Sequence, residues 1–252
     1  MALYSVWFKA GGRLISEFTL ANYSQFFGRD HFLQALVNSL EVTILTATIS
    51  ILLAYPLAYI LAYRVPPRWQ RLALLLAIVP FWTSYVVRSY SWLLVLSENG
   101  IISQTLLTLG LSEQPLALSN NRTATIIGFV HFFTMLLTLT IFASLKQISP
   151  NYHRAAYDLG ASRLQTFLYI TLPLSLPGVM VGGFLTFVLA IGDYITPQIL
   201  GGSRELLLPQ LIMLQIERRA DFPFASAMSM VLMGVISVTY LLCARWLRME
   251  RT

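Results

Sequence analysis

Apolar residues run through this chain in long blocks, each closed by a short polar stretch, and that spacing predicts membrane-crossing helices rather than a soluble core. Blocks are read at about 36–63, 72–96, 123–145, 174–191 and 226–246, so the predicted fold is an all-α polytopic bundle of about five spans. Pro56 lies inside the first block. Pro80, followed by Phe81-Trp82-Thr83-Ser84, predicts a kink in the second, because proline removes a backbone donor. Gly178 and Gly182 form a small-xxx-small pair that permits close helix contact in the fourth. Residues 1–8 are apolar but far too few to cross a hydrocarbon core, and residues 1–35 read as an external amino-terminal segment. The whole chain, 1–252, reads as one membrane domain.

One polar stretch interrupts the pattern, Ser149 to Pro173, SPNYHRAAYDLGASRLQTFLYITLP. Ser149 can cap a helix whose first residue is Pro150, where no amide hydrogen is needed. Tyr152, Ala155, Ala156 and Leu159 fall at i, i+3, i+4 and i+7 as one apolar face, with Asn151, Arg154 and Asp158 opposite. Gly160 can adopt the left-handed conformation that ends this helix, and Ser162 with Gln165 is a capping-box signature for the next. By pattern alone, residues 146–173 are either a docking element or two amphipathic helices resting on the membrane surface.

Composition agrees with a membrane protein: 56% of residues are hydrophobic and 11% charged, against about a quarter charged in soluble domains. The net charge of +6 includes only two lysines and no basic run on a soluble face, which argues against nucleic acid. Charge partition explains it instead. The loops holding Arg64, Arg68, Arg71, Lys146, Arg154 and Arg163, with Arg245, Arg248 and Arg251 at the end, carry nine bases against Asp158 and Glu250. The alternate loops carry seven bases and seven acids. The positive-inside rule then puts the amino terminus outside, and the 146–173 loop and carboxyl terminus in the cytoplasm. Cys243 is the single cysteine, so no disulfide framework is available, and no signal-peptide pattern is evident.

No G-x-x-x-x-G-K-[ST] motif occurs, so a pump of this kind must borrow its energy from a partner that binds ATP. His31, His131 and His153 are assigned to outside, membrane and cytoplasm, so neither metal nor other cofactor is expected on this chain, nor catalysis. Three ionisable residues fall within spans: Glu41, Arg88 and Asp193. Arg88 lies about 24 Å along its span from the cytoplasmic side at 1.5 Å per residue, which places it near the level of the other two. Such charges either lock helices together or line a path for solute. Trp82, Tyr85 and Tyr194, with Tyr90 and Trp92, are close in sequence and can offer aromatic faces to a cation or anchor the interface. The candidate translocation path is therefore Glu41, Trp82, Tyr85, Arg88, Asp193 and Tyr194.

Ala155-Ala156, Gly160, Ile170, Leu172 and Pro173 resemble the EAA loop of ABC importer permeases, E-A-A-x3-G-x9-I-x-L-P, with Arg154 in place of the glutamate. The resemblance implies that Arg154, Ala155, Ala156, Asp158, Gly160, Ile170, Leu172 and Pro173 couple the chain to a cytoplasmic ABC ATPase dimer. The change at Arg154 implies a compensating acidic or neutral surface on that ATPase. Pro80-Phe81-Trp82-Thr83-Ser84, Arg88-Ser89-Tyr90-Ser91-Trp92, Gly192 to Pro197 and Leu200-Gly201-Gly202 resemble the spermidine/putrescine (PotB/PotH-type) permease group. That resemblance implies binding-protein-dependent import of polyamines or a related small solute across a bacterial inner membrane. It also implies a second homologous permease, a periplasmic or lipid-anchored binding protein and the surrounding lipid bilayer as partners. The family usually has six spans, so the first is missing here, through either a downstream start or a five-span form. A secondary transporter or channel would show repeated halves, and none is evident; a membrane scaffold would need no docking loop.

The topology is testable in a Cys243→Ser background. Impermeant thiol reagent applied to intact cells is expected to label Ser112→Cys and to spare Arg68→Cys; the opposite labelling would invert the orientation.

Overall fold

The computed structural model describes residues 1–10, 13–202 and 205–249, most of them helical. Glu250 and Arg251, counted in the charge partition, lie outside the described residues, as does Arg204 among the bases of the alternate loops. The chain opens with α1 (Ala2–Ser5), the antiparallel strands β1 (Phe8–Ala10) and β2 (Arg13–Ile15), and α2 (Ala21–Phe27). Lys9 pairs with Leu14 in this ribbon. The ribbon corrects the all-α expectation in a small way, and its sequence signal was the Gly-Gly pair between two short apolar-containing segments.

Next come α3 (Asp30–Tyr63), α4 (Pro67–Ile78), a 3₁₀ turn (Val79–Trp82), α5 (Tyr85–Leu96), α6 (Ile101–Thr108) and α7 (Arg122–Gln147). Then α8 (Pro150–Asp158), α9 (Arg163–Thr166), a π-helical turn (Phe167–Thr171) and α10 (Leu172–Ile191) follow. The chain closes with α11 (Ile195–Leu200), α12 (Leu208–Arg219) and α13 (Phe222–Met249). Among the described residues four helical stretches are long and apolar enough to cross a membrane: α3, α7, Arg163–Ile191 and Phe222–Ala244. The expected second span is not one helix. It is two 12-residue helices, α4 and α5, separated by the 3₁₀ turn that contains Pro80. A proline that cannot donate to the preceding turn favours that break, so four of the five expected spans are continuous helices and the second block is two short ones.

Packing divides the chain into two compact units, the first comprising Met1–Leu45, Tyr85–Phe129 and Val188–Leu242. Its core joins Phe26 and Phe32 to Leu208, Phe224 and Met228. Phe32 and Phe224 meet edge-on at 5.0 Å. Ser39 Oγ accepts the Leu208 N–H at 2.8 Å, satisfying one orphan donor at the start of α12. At the other end of α12, Ala220 is left-handed, and Lys9 Nζ donates to the carbonyls of Arg219 and Ala220. A second cluster, Leu96, Ala124 and Leu200, fixes the entry to α7. There Asn121 Oδ1 accepts the Ala124 N–H at 2.8 Å, while the Asn121 N–H donates to Leu200 O at 3.0 Å.

The second unit comprises Thr46–Ser84, Val130–Phe187 and Cys243–Thr252. Ala54, Ala58 and Ala62, one turn apart on α3, receive Leu137, Ile141 and Leu145 of α7. Small side chains on one helix thus accommodate large ones on the other, the arrangement that lets helices approach closely without a hydrophobic driving force in lipid. Gly178 and Gly182 of α10 face α7 in the same way. A Cβ at Gly178 would collide with Ser144, and one at Gly182 with Thr140 and Leu137.

Gly182→Val is therefore expected to lower the melting temperature of the detergent-solubilised protein, through overpacking of about 1–3 kcal/mol. Gly234→Ala, where a Cβ meets nothing within 4 Å, is expected to leave it unchanged, and equal melting of the two variants would contradict the close contact.

Candidate functional site

Two places carry the residues singled out by sequence, one in each unit. In the second unit, Ser149 caps α8 by accepting the Asn151 N–H, with Pro150 at the first helical position. Gly160 has φ +80, its N–H reaches Tyr157 O at 2.9 Å, and the Ala161 N–H reaches Ala156 O at 2.9 Å. Those two bonds make a Schellman ending, which a residue with a Cβ would strain. Ser162 and Gln165 then exchange side-chain and backbone bonds at 2.8 and 3.3 Å, a complete capping box that starts α9.

Of the apolar face of α8 only Ala156 turns inward. Ala156 is 6% exposed, but Tyr152 and Ala155 are exposed and Leu159 is 88% exposed. The inward partner of Ala156 is His153, three residues back, which apolar periodicity passed over. His153 Nε2 lies 3.1 Å from Thr171 Oγ1, and its ring meets Tyr63 edge-on at 5.4 Å. Tyr63 in turn donates to Leu145 O at 3.2 Å, so the short helix is tied to the ends of α3 and α7 and to the π turn. The outward surface keeps Tyr152, Tyr157, Leu159, Leu164 and Tyr169 in solvent beside Arg154 and Asp158. Ile170 and Leu172 are half-buried and Pro173 is exposed. The π turn directly precedes Pro173, whose missing N–H would leave Tyr169 O without an α-helical donor.

In the first unit the three intramembrane charges separate into two groups. Tyr85 donates its hydroxyl to Asp193 Oδ2, Thr196 Oγ1 donates to the Tyr85 oxygen at 2.7 Å, and the Arg88 guanidinium lies 5.0 Å from the Tyr85 ring centroid. Asp193 Oδ1 also accepts the N–H groups of Ile195 and Thr196, at 2.8 and 3.5 Å, and so starts α11. Arg88 is buried. Glu41 does not join them. Its Oε2 lies 2.6 Å from Nη2 of Arg122, a residue that charge counting placed in an external loop. Tyr194 borders an open cavity of about 830 Å³ together with Asn120, Gln198, Gln210 and Glu217. Trp82 belongs to the second unit, where it is 85% exposed beside an apolar hollow of about 410 Å³ formed with Leu75, Val79 and Arg71. Among the described residues no three His, Cys, Asp or Glu side chains converge on one point as a metal site requires.

Comparison with known proteins places this architecture. Residues 54–248 match the family described as binding-protein-dependent transport system inner membrane component. The chain is 34% identical to the spermidine/putrescine permease PotB of Escherichia coli (strain K12), over 91% of this chain and 84% of that one. Identity to the Haemophilus influenzae PotB is 30%, over 88% and 78%. The E. coli inner membrane ABC transporter permease YdcU is also 30% identical, over 85% and 72%. Among solved structures, a bacterial ABC transporter for alginate import superposes with a TM-score of 0.72 at 16% identity, over 91% of this chain and 84% of that one. The methionine transporter MetNI, in an inward-facing form, gives 0.66 at 15% identity, over 86% and 94%. The fold, the apolar helices and the match over most of the chain lead to one conclusion: this protein belongs to the binding-protein-dependent family of inner-membrane transport components, the multi-pass permease subunits of ABC importers.

Proposed function

We propose that the chain is the permease of an importer for polyamines of the spermidine/putrescine class, and that it binds no nucleotide itself. The observation that carries its coupling role is the outward surface of α8 and α9: large apolar side chains on a rigidly capped helix pair, left exposed among the described residues. Isolated exposed apolar residues are ordinary, but a cluster of this kind on a polar loop marks an interaction surface. Its EAA-type pattern supports a cytoplasmic ABC ATPase as the occupant, with Arg154 and Asp158 at the rim and Gly160 fixing the angle between the helices. His153, Ile170, Leu172 and Pro173 connect that surface to the spans, so a push on α8 is passed to α3, α7 and α10. Tyr85, Arg88, Asp193 and Tyr194, with Glu41, are the proposed walls of the solute path. A second homologous permease completes that path, and a separate binding protein delivers substrate from outside. The polyamine class rests on the named relatives, and two intramembrane acids against one arginine are compatible with a cationic solute.

The test uses the whole importer purified from membranes. Leu159→Asp alters an exposed side chain, so the permease itself is expected to fold and melt as before, while ATPase co-purification and substrate-stimulated ATP hydrolysis both fall at least about tenfold, because a charge is placed in a desolvated contact. Gly160→Val strains the positive φ by about 1–2 kcal/mol and is expected to weaken the same two readouts. Full ATPase binding and full stimulated turnover in both variants would overturn the coupling assignment.

A further inference from the structure

Arg122 opens α7, where the first backbone N–H groups already carry partial positive charge, so a cation at that point is disfavoured unless acids hold it. Two do. Nη2 lies 2.6 Å from Glu41 Oε2, and Nη1 lies 3.9 Å from Glu205 Oε2. The arginine side chain is 25% exposed and the glutamates 54% and 52%, so the acids are reachable from solvent while the guanidinium is mostly covered. The fit is that of a loose occupant. A well-made arginine clamp presents two parallel N–H groups to one carboxylate. Here Nη2 is close to Glu41 without aiming an N–H at it, and buried Nε finds no acceptor among the described residues. Thr125, 2% exposed, lines the same small hollow as Arg122 and Glu205, and its Oγ1 has no hydrogen-bond partner among the described residues. Two acids and a spare hydroxyl thus surround one cation whose buried Nε and Nη2 lack a well-aimed acceptor among the described residues.

This cluster adjoins the 830 Å³ cavity. Asn120, Gly202 and Leu206 border the cavity, and Arg122, Gly201 and Glu205 border the hollow at the ion pairs, so neighbouring residues serve both. The cavity wall adds the Tyr194 ring, the Gln198 amide and the Glu217 carboxylate, with Arg218 beside the last.

The geometry points to Arg122 as a tethered stand-in for a substrate ammonium: an extended alkyl diamine or triamine lying in the cavity presents a primary ammonium to Glu41, Glu205 and Thr125, and displaces the guanidinium. This inference rests on the polyamine reading and deepens it. An ammonium brings three rotatable donors to the two carboxylates and the hydroxyl, which a planar guanidinium approaching from the start of α7 cannot all reach. The methylene chain and second ammonium then lie along Tyr194 and Glu217, where an aromatic face and a carboxylate both suit a cation. When Arg122 is held away, Glu41 is paired to substrate instead of to α7, so occupancy loosens a tie between α3 and α7.

The experiment measures the KM of spermidine and putrescine uptake by the complete importer, normalised to assembled complex. Arg122→Gln removes the competing cation and is expected to lower KM about tenfold, Glu205→Gln to raise it by a similar factor, and Arg122→Lys, whose tethered ammonium suits the same seat, to give no such fall. An unchanged KM in Arg122→Gln overturns the inference. If Arg122→Gln does not assemble, Glu205→Gln decides: a half-exposed acid whose loss leaves KM unaltered was never part of the seat. Failure of the underlying reading is distinguishable, because the wild-type importer would then take up no diamine or triamine while another solute still stimulates its ATPase.

Discussion

In a hydrocarbon environment no water satisfies a stray amide, so the backbone of this chain must pair within itself wherever it crosses the membrane. The helical architecture depends on that constraint, and so do its exceptions. At two prolines the chain changes its helix type, with a 3₁₀ turn at Pro80 and a π turn before Pro173, while α3 and α10 run on through Pro56 and Pro177. Both irregularities stand beside residues assigned here to function. The first separates α4 from α5, which begins with Tyr85 and carries Arg88. The second joins α9 to α10 and holds Thr171, the partner of His153.

The segment proposed to couple the chain to an ATPase combines two properties that would conflict in an ordinary surface loop. Its outer face is apolar and uncovered, yet its backbone is tightly specified by the Schellman ending, the capping box and the His153 contacts. A mobile loop would absorb a displacement applied to it. A capped helix tied through His153 to Tyr63 and Thr171 would pass that displacement to the helices behind it. Close packing of α10 against α7 at Gly178 and Gly182 leaves little slack for the motion to dissipate inside the same unit.

What could be read from sequence was mostly local. The helix pair at 149–166 was legible because its caps are interactions between residues two to five apart, and Ser149, Gly160, Ser162 and Gln165 each satisfy a specific orphan group. Periodicity showed that α8 has an apolar face but not which side of the helix meets the spans: Tyr152 and Leu159 face out, and a histidine faces in. The charge clusters were legible only as a set of costly residues. Arg88 and Asp193 do meet, through Tyr85, but Glu41 takes Arg122, and pairings across such sequence separations follow from tertiary packing rather than spacing. The second span was found as an apolar block, while its division into two helices depended on how far the Pro80 break extends, which composition does not determine.

The central claim is that the exposed surface around Leu159 is the seat of the ATPase. Its most direct measurement is the labelling rate of Leu159→Cys, in the Cys243→Ser background, with a maleimide probe on the permease alone and on the assembled importer. The account expects rapid labelling of the isolated permease and strong protection in the complex, with a position on the opposite membrane side, Ser112→Cys, labelled equally in both. Equal labelling of Leu159→Cys with and without bound ATPase would contradict it.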